Sequence, residues 1–292
     1  MDMGVRAMSE PIIKVERLAY SYPRKELVLY DINFEVNKGE VLGIIGPNGA
    51  GKSTLCKALN GLVPHFYGGK YGGRVVVAGM EVLEHTVAEL STKVGIVFQD
   101  PEEQMSGLAL TVWEEVAFGL MMLGFPKEEI VRRVDEAIKQ VGLEGFEKRS
   151  PFELSGGQQQ RLAIATVLAV KPDVLVLDEP TAQLDPIGKF EVFSVIKRLA
   201  AEGSTIVVVE HEIEELATFA DNILLLDQGR VKAYGPARDV LTQVEKLKSL
   251  GVDPPSVTEL TYLLNKELGA NLEVPITLDE AIKIYAEALG VS

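Results

Sequence analysis

With 292 residues, 47% of them hydrophobic and 25% charged, the chain reads as an ordinary globular protein, large enough for one α/β domain plus a small appendage or for two modest domains. Its net charge of −14 argues against a sequence-independent grip on nucleic acid, which needs Lys and Arg over phosphates. One cysteine, Cys56, excludes an internal disulfide and fits a cytosolic setting, and no stretch approaches the ~20 apolar residues that span a bilayer, so any membrane role must come through a partner.

The first ten residues contain Asp2 and Glu10 and no apolar core, so they do not read as a signal peptide. Runs 12–15, 31–36 and 41–45 are rich in β-branched residues between turn signals and read as strands. The third, Val41-Leu42-Gly43-Ile44-Ile45, is apolar throughout, as a strand buried on both faces should be. It leads into Gly46-Pro47-Asn48-Gly49-Ala50-Gly51-Lys52-Ser53, a match to G-x-x-x-x-G-K-[ST], and then a helix over 52–59. In such a loop the glycines let backbone N–H groups turn inward around the β- and γ-phosphates, Lys52 reaches the same phosphates, and Ser53 offers its hydroxyl to Mg²⁺. Cys56, just inside the helix, reads as a small core residue. Residues 61–73, with Pro64-His65-Phe66-Tyr67-Gly68-Gly69, read as a loop of no assigned role, and 74–78 and 94–98 as further strands.

Between 101 and about 171 the pattern turns helical. Thr111 with Glu114 forms a capping box for a helix reaching Leu123. Pro126 opens a second helix, with Ile130, Val134, Ile138 and Val141 on one face. Ser155-Gly156-Gly157-Gln158 opens a third. A serine N-cap followed by two glycines exposes unpaired N–H groups at a positive helix end, which makes a second anion site. Strand-like runs return at 174–177, 206–209 and 223–226. The first of these ends in Asp178-Glu179; Asp178 can hold part of a Mg²⁺ shell and Glu179 can orient or deprotonate an attacking water. The whole pattern does not repeat, so there is one cassette. Past 235 the chain is helical again, with a break at Gly251-Val252-Asp253-Pro254-Pro255. Capping boxes at Ser256/Glu259 and Thr277/Glu280 follow, and three short helices make an appended domain of about 55 residues.

Leu154-Ser155-Gly156-Gly157-Gln158, in this order after the phosphate loop, resembles the signature of ABC-type ATPases, and the resemblance covers roughly residues 10–235. It implies a P-loop core of mixed and parallel sheet with an N-terminal antiparallel β subdomain, a helical subdomain at about 101–171, and ATP and Mg²⁺ as ligands. It implies that the signature of one subunit, Ser155 to Gln158, closes over ATP held by another. That ATP would be bound by Asn48, Gly49, Ala50, Gly51, Lys52, Ser53 and Thr54, with Tyr22 stacking on adenine. Gln99 looks like the Q-loop glutamine, which touches the metal shell with Ser53 and Asp178. Asp185 looks like the D-loop aspartate and His211 like the switch histidine; with Glu179 and Gln99, His211 is expected to be catalytic. Two departures stand out: Ala182-Gln183 where a serine-containing D-loop is frequent, and Glu210 where threonine is frequent, the latter expected to change little.

Asp100-Pro101-Glu102-Glu103-Gln104 beside the Q-loop and the region beyond Gly251 resemble the ATPase subunits of energy-coupling factor (ECF) importers, which take up vitamins and metal ions. That resemblance implies ATP hydrolysis coupled to transport at the cytoplasmic face of the cell membrane. It implies a second ATPase subunit, alike or related, a transmembrane coupling subunit, a substrate-binding membrane subunit, no nucleic acid, and dimerisation through residues 236–292. A soluble ABC ATPase acting on ribosomes or DNA is the alternative; those usually carry two cassettes or a long coiled coil, and this chain has neither.

Overall fold

The computed structural model describes residues 10–290, so the reading of the first nine residues lies outside it. Two sheets form the body. The first is antiparallel, built from β1 (Ile13–Ser21), β2 (Leu27–Val36), β4 (Lys70–Val77) and β5 (Met80–Glu81) in the order β2-β1-β4-β5. The second contains β3 (Val41–Ile45), β6 (Val94–Val97), β7 (Val174–Asp178), β8 (Thr205–Val209), β9 (Asn222–Asp227) and β10 (Arg230–Pro236). Its order is β10-β9-β3-β8-β7-β6, parallel except for the β9–β10 edge pair.

The helices are α1 (Lys52–Leu59), α2 (Leu62–His65), α3 (Val87–Ser91), α4 (Val112–Met122), α5 (Lys127–Gln140), α6 (Gly156–Leu168) and α7 (Pro186–Ala201). Five more follow: α8 (Ile213–Leu216), α9 (Ala237–Leu241), α10 (Val244–Ser249), α11 (Ser256–Leu268) and α12 (Leu278–Leu289).

The apolar runs of the second sheet serve two cores at once, because successive side chains of a strand point to opposite faces. Val41 and Ile45 of β3, Leu175 and Leu177 of β7, and Ile206 and Val208 of β8 join the core under α4 to α7. Leu42 and Ile44, Val174 and Val176, and Val207 and Val209 join the core shared with the antiparallel sheet and α1, where Cys56 is fully buried. Each such side chain contributes about 1.5–3 kcal/mol. That two-sided burial is what fixes the phosphate loop, which hangs from the end of β3, against the neighbouring strand ends.

Several local expectations change. β1 and β2 are longer than the runs at 12–15 and 31–36: β1 continues through the polar Glu16 and Arg17, which break the apolar pattern, and β2 begins already at Leu27. The loop at 61–73 contains the turn of α2, and β4 already begins at Lys70, extended by a ladder to Ala19-Tyr20-Ser21. The capping box at Thr111 and Glu114 is present. Ser256, by contrast, is not an N-cap: it is the first residue of α11 after Pro255, and its hydroxyl donates to Glu214 at 2.9 Å. Thr277 does cap α12. The region past 235 has four helices, not three, and no separate core, since Val252 and Ile276 belong to the same apolar cluster as Ile213 and Leu216.

Arg161 welds the helical segment together. It is buried on α6, donates to the carbonyls of Val141 and Gly142 at 3.0 and 2.9 Å where α5 ends, and pairs with Glu191 on α7 at 3.1 Å. A cation over the free carbonyls of a helix C-terminus is favourable. We predict that Arg161→Ala destabilises the chain by about 3 kcal/mol, because it leaves the buried Val141 carbonyl and the Glu191 carboxylate without their partner; urea titration with an unchanged midpoint would refute this.

Candidate functional site

The parallel register brings the motif residues to one edge. Ile44 of β3 lies opposite Val209 of β8, Asp178 of β7 opposite the same Val209, and Val97 of β6 opposite Leu177. The four strands therefore end together, presenting the phosphate loop, Glu210-His211, Asp178-Glu179 and Gln99. Ligands of open α/β sheets bind at such carboxyl ends.

The loop needs its first glycine: Gly46 has a φ of 148°, and a Cβ there would lie 1.9 Å from the Leu226 carbonyl oxygen. The Lys52 side chain is buried and curls into the loop, its Nζ donating to the carbonyls of Gly46 and Pro47 at 3.0 and 3.2 Å and lying 3.6 Å from Glu179 Oε1. Ser53 donates to Asp178 Oδ1 at 3.0 Å. Burial raises the Asp178 carboxyl above its ordinary range, and the Ser53 hydrogen bond works against that rise. A cavity of about 210 Å³ is lined by Asn48, Gly49, Gly51, Lys52, Thr54 and Glu179 together with Val28 and Ser53. Ala50, in the same loop, faces the core.

Glu179 has a φ of +49°, a left-handed conformation that a non-glycine residue holds at a cost of about 1–3 kcal/mol. Its backbone N–H still bonds the Val209 carbonyl at 3.0 Å, so the strain redirects the side chain away from the strand line. There its Oε1 is 3.1 Å from Nε2 of the half-exposed His211. A carboxylate, an imidazole and an ammonium thus converge at the mouth of the loop.

Tyr22 sits beside the first turn of α1, its hydroxyl 3.3 Å from Thr54 Oγ1, with Tyr20 and Tyr67 edge-on at 5.0 and 5.9 Å. The unassigned loop at 61–73 therefore contributes Tyr67 to the flank of Tyr22; an aromatic pair in a glycine-rich stretch was the only sequence signal. Gln99 is exposed at the end of β6 and makes no side-chain hydrogen bond to Ser53 or Asp178 among the described residues. The peptide just before it is held on both sides: Phe98 N–H donates to Gln104 Oε1 and Phe98 C=O accepts from Gln160, each at 3.2 Å. Gln104 in turn donates to Ala163 C=O of α6 at 3.0 Å.

Ser155 caps α6, its hydroxyl accepting from Gln158 N–H while Gln158 Oε1 accepts from Ser155 N–H. Ser155, Gly156, Gly157 and Gln158 line a separate cavity of about 420 Å³ whose opposite wall is Gln183, Leu184, Asp185 and the first turns of α7. Asp185 is the N-cap of α7, accepting from Gly188 N–H at 2.7 Å. A Cβ on Gly157 would lie 2.8 Å from Gly188 Cα, so glycine is required for the two helix starts to meet. The signature cavity and the phosphate-loop cavity have no lining residue in common.

Glu210, expected to matter little, is fully engaged. It is 3% exposed, accepts from Thr181 Oγ1 at 2.8 Å and from His211 N–H at 3.1 Å, and burial lifts its carboxyl from the ordinary 4.5 to about 7. A raised acid holds its proton more tightly in the folded chain. The associated stability is complete below about 4.5 and is lost as pH rises through about 7. Glu210→Gln carries no such loss. Its melting temperature relative to wild type should rise by roughly 4–8 °C, about 2 kcal/mol, between about pH 5 and about pH 8.5. A difference that stays constant with pH would contradict this.

Comparison with known proteins identifies the family. Residues 29–182 match the family model described as ABC transporter. A putative ABC transporter ATP-binding protein of Pyrococcus horikoshii is 47% identical over 275 residues, covering 94% of this chain and 96% of that protein. The energy-coupling factor transporter ATP-binding protein of Methanocaldococcus jannaschii is 40% identical over 271 residues, 92% of this chain and 95% of the relative. Among solved structures, CbiO1 of Clostridium perfringens, described as part of the ABC transporter complex CbiONQ, superposes with a TM-score of 0.72 at 35% identity, covering 87% of this chain and all of that one. A dimeric ATP-binding cassette in a post-hydrolysis state with ADP and phosphate superposes with a TM-score of 0.65 at 31% identity, covering 77% and 99% of the two chains. The chain belongs to the ABC transporter ATP-binding proteins, as an ATP-hydrolysing subunit of the energy-coupling factor type.

Proposed function

We propose that two such subunits, identical or one of them a related chain, sandwich two ATP molecules between the phosphate loop of one and the signature of the other. The observation that carries this reading is the separation just described: the chain has two anion-seeking helix starts, at Lys52 and at Ser155–Gln158, lining cavities with no residue in common. Within one subunit the signature has no phosphate to serve, so its ligand belongs to the opposite chain. The dimeric cassette with ADP and phosphate supports, by likeness, a nucleotide-binding dimer.

In the cis half, Asn48 to Thr54 cradle the phosphates and Lys52 exchanges its contacts with Gly46, Pro47 and Glu179 for phosphate oxygens. Tyr22, beside Thr54, offers its ring to the adenine. No group of three or more His, Cys, Asp or Glu among the described residues could hold a metal by itself. The Ser53–Asp178 pair nonetheless fits Mg²⁺: a hydroxyl hydrogen-bonded to a buried carboxylate offers hard oxygen donors that, with Gln99, would hold the ion. Bound there, Mg²⁺ would neutralise charge on the β- and γ-phosphates. Glu179 accepts the proton of the attacking water or orients it, and His211, 3.1 Å from Glu179, steadies that water and the γ-phosphate. Asp185, as D-loop, lines the trans half with the signature.

Residues 10–235 form the nucleotide-binding domain, with its helical subdomain at about 101–171, and residues 236–292 an extension that supports dimerisation. Exposed Leu260, Leu263, Leu278 and Ile282 on α11 and α12 favour that role for the extension. No helix among the described residues is long and apolar enough to cross a membrane. By its likeness to energy-coupling factor transporter ATP-binding proteins, the subunit works peripherally, at the cytoplasmic face, through a transmembrane coupling subunit and a substrate-binding membrane subunit. The segment Asp100 to Gln104, pinned to α6 through Gln104, is positioned to pass that contact to the signature helix.

We predict that Glu179→Gln lowers kcat by at least about 100-fold and leaves ATP affinity within about threefold. Ser155→Arg is expected to lower kcat comparably, again without weakening ATP binding to the isolated subunit, as measured by nucleotide titration. Wild-type turnover in either variant would remove the residue from its proposed role.

A further inference from the structure

Glu210 has a use that the hydrolytic reading leaves open. It stands between two segments that the composite-site reading assigns to different ATP molecules. On one side its carboxylate accepts from the backbone N–H of His211, whose ring meets Glu179 at the cis phosphate loop. On the other its second oxygen accepts from Thr181 Oγ1, itself 1% exposed. Gln183 to Asp185, which begin two positions beyond Thr181, form the wall of the signature cavity. The path from switch histidine to signature wall thus consists of one carboxylate, one hydroxyl and a short turn closed by Ala182 N–H to Glu179 C=O and Leu184 N–H to Thr181 C=O.

We propose that Glu210 is a positioning residue that couples the two ATP sites, holding the switch histidine of one in register with the D-loop wall of the other through Thr181. This rests on the composite-site reading above. The geometry favours a strut over a merely structural bond, because each carboxylate oxygen serves a different segment and both segments end in residues assigned to ATP. A threonine in its place has a single short hydroxyl and cannot bridge both. Displacing His211 in response to its own γ-phosphate would pull on Thr181, and a shift of the D-loop by the partner's nucleotide would move His211 in return, as linkage between sites requires.

The test is steady-state hydrolysis by the full chain carrying Glu210→Ala, Glu210→Gln, Thr181→Val, Thr181→Ser, or the pair Glu210→Ala with Thr181→Val. Glu210→Ala and Thr181→Val should each lower kcat by about tenfold with KM for ATP within about twofold, since the phosphate loop and Tyr22 are untouched. The double variant should be no slower than the worse single one. Glu210→Gln, whose amide oxygen can accept from His211 N–H while its NH2 donates to Thr181 Oγ1, and Thr181→Ser each keep a bridge and should retain at least about half of kcat. Thr181→Val is nearly isosteric, so it reports even where Glu210→Ala fails to fold. Additive losses, a kcat within about twofold of wild type for Thr181→Val, or a Glu210→Gln as slow as Glu210→Ala would each overturn the coupling. Failure of the composite site itself would appear elsewhere, as full turnover in Ser155→Arg.

Discussion

Four adjacent parallel strands ending at one level hold the site together. Hydrogen bonds of the ladder from β3 through β8 and β7 to β6 set the relative heights of Lys52, His211, Asp178 and Glu179 before any side chain makes a contact. A slip by one residue in any pair would turn the apolar side chains to the wrong core and move the carboxylates by about 3.3 Å, beyond hydrogen-bonding reach. The two-sided burial of those strands is therefore a catalytic constraint as well as a stabilising one. Once it is satisfied, the loop at Gly46 and the left-handed Glu179 are small local departures from a rigid frame.

That frame also keeps the two halves of the chemistry apart. The cis half lies on the strand ends, while the signature lies at the start of α6, supported by α7 through the Gly157–Gly188 contact and by α5 through Arg161. The cavities at the two have no lining residue in common. Communication between them runs through few bonds: Gln104 and Gln160 around the Phe98 peptide on one side, Glu210 and Thr181 on the other. Both paths start next to a residue expected to sense the γ-phosphate and end at the signature or its wall. An ATP-driven machine of two subunits needs such paths, since closing over nucleotide must be felt at both sites.

Much of this was legible in the sequence. The apolar runs at 41–45, 174–177 and 206–209 named the buried strands, because burial on both faces leaves no polar alternation. The phosphate loop and the serine-capped helix start at 155–158 are contiguous motifs whose chemistry depends on backbone N–H groups and local spacing, so they read from the residues, whereas the roles expected of His211, Gln99 and Tyr22 came only through the resemblance to the family. Less legible were features made by contacts between distant segments. Tyr67 beside Tyr22, the Gln104–Ala163 bond and the Glu210–Thr181 bond join residues 29 to 59 positions apart. Glu210 looked like an incidental substitution because sequence alone does not report burial. Ser256 misled for a related reason: Pro255 before it takes the cap position, leaving the serine free to bond Glu214 on another helix.

The central claim is that one chain holds half of each of two sites. Native mass spectrometry of the Glu179→Gln chain, with and without ATP and Mg²⁺, tests it most directly, because slowed hydrolysis preserves whatever nucleotide-bound assembly forms. With ATP, a species of two chains carrying two nucleotides is expected, whatever share of the chains is already paired through residues 236–292 without it. A single chain holding one ATP, with no dimer formed at any nucleotide concentration, would contradict it.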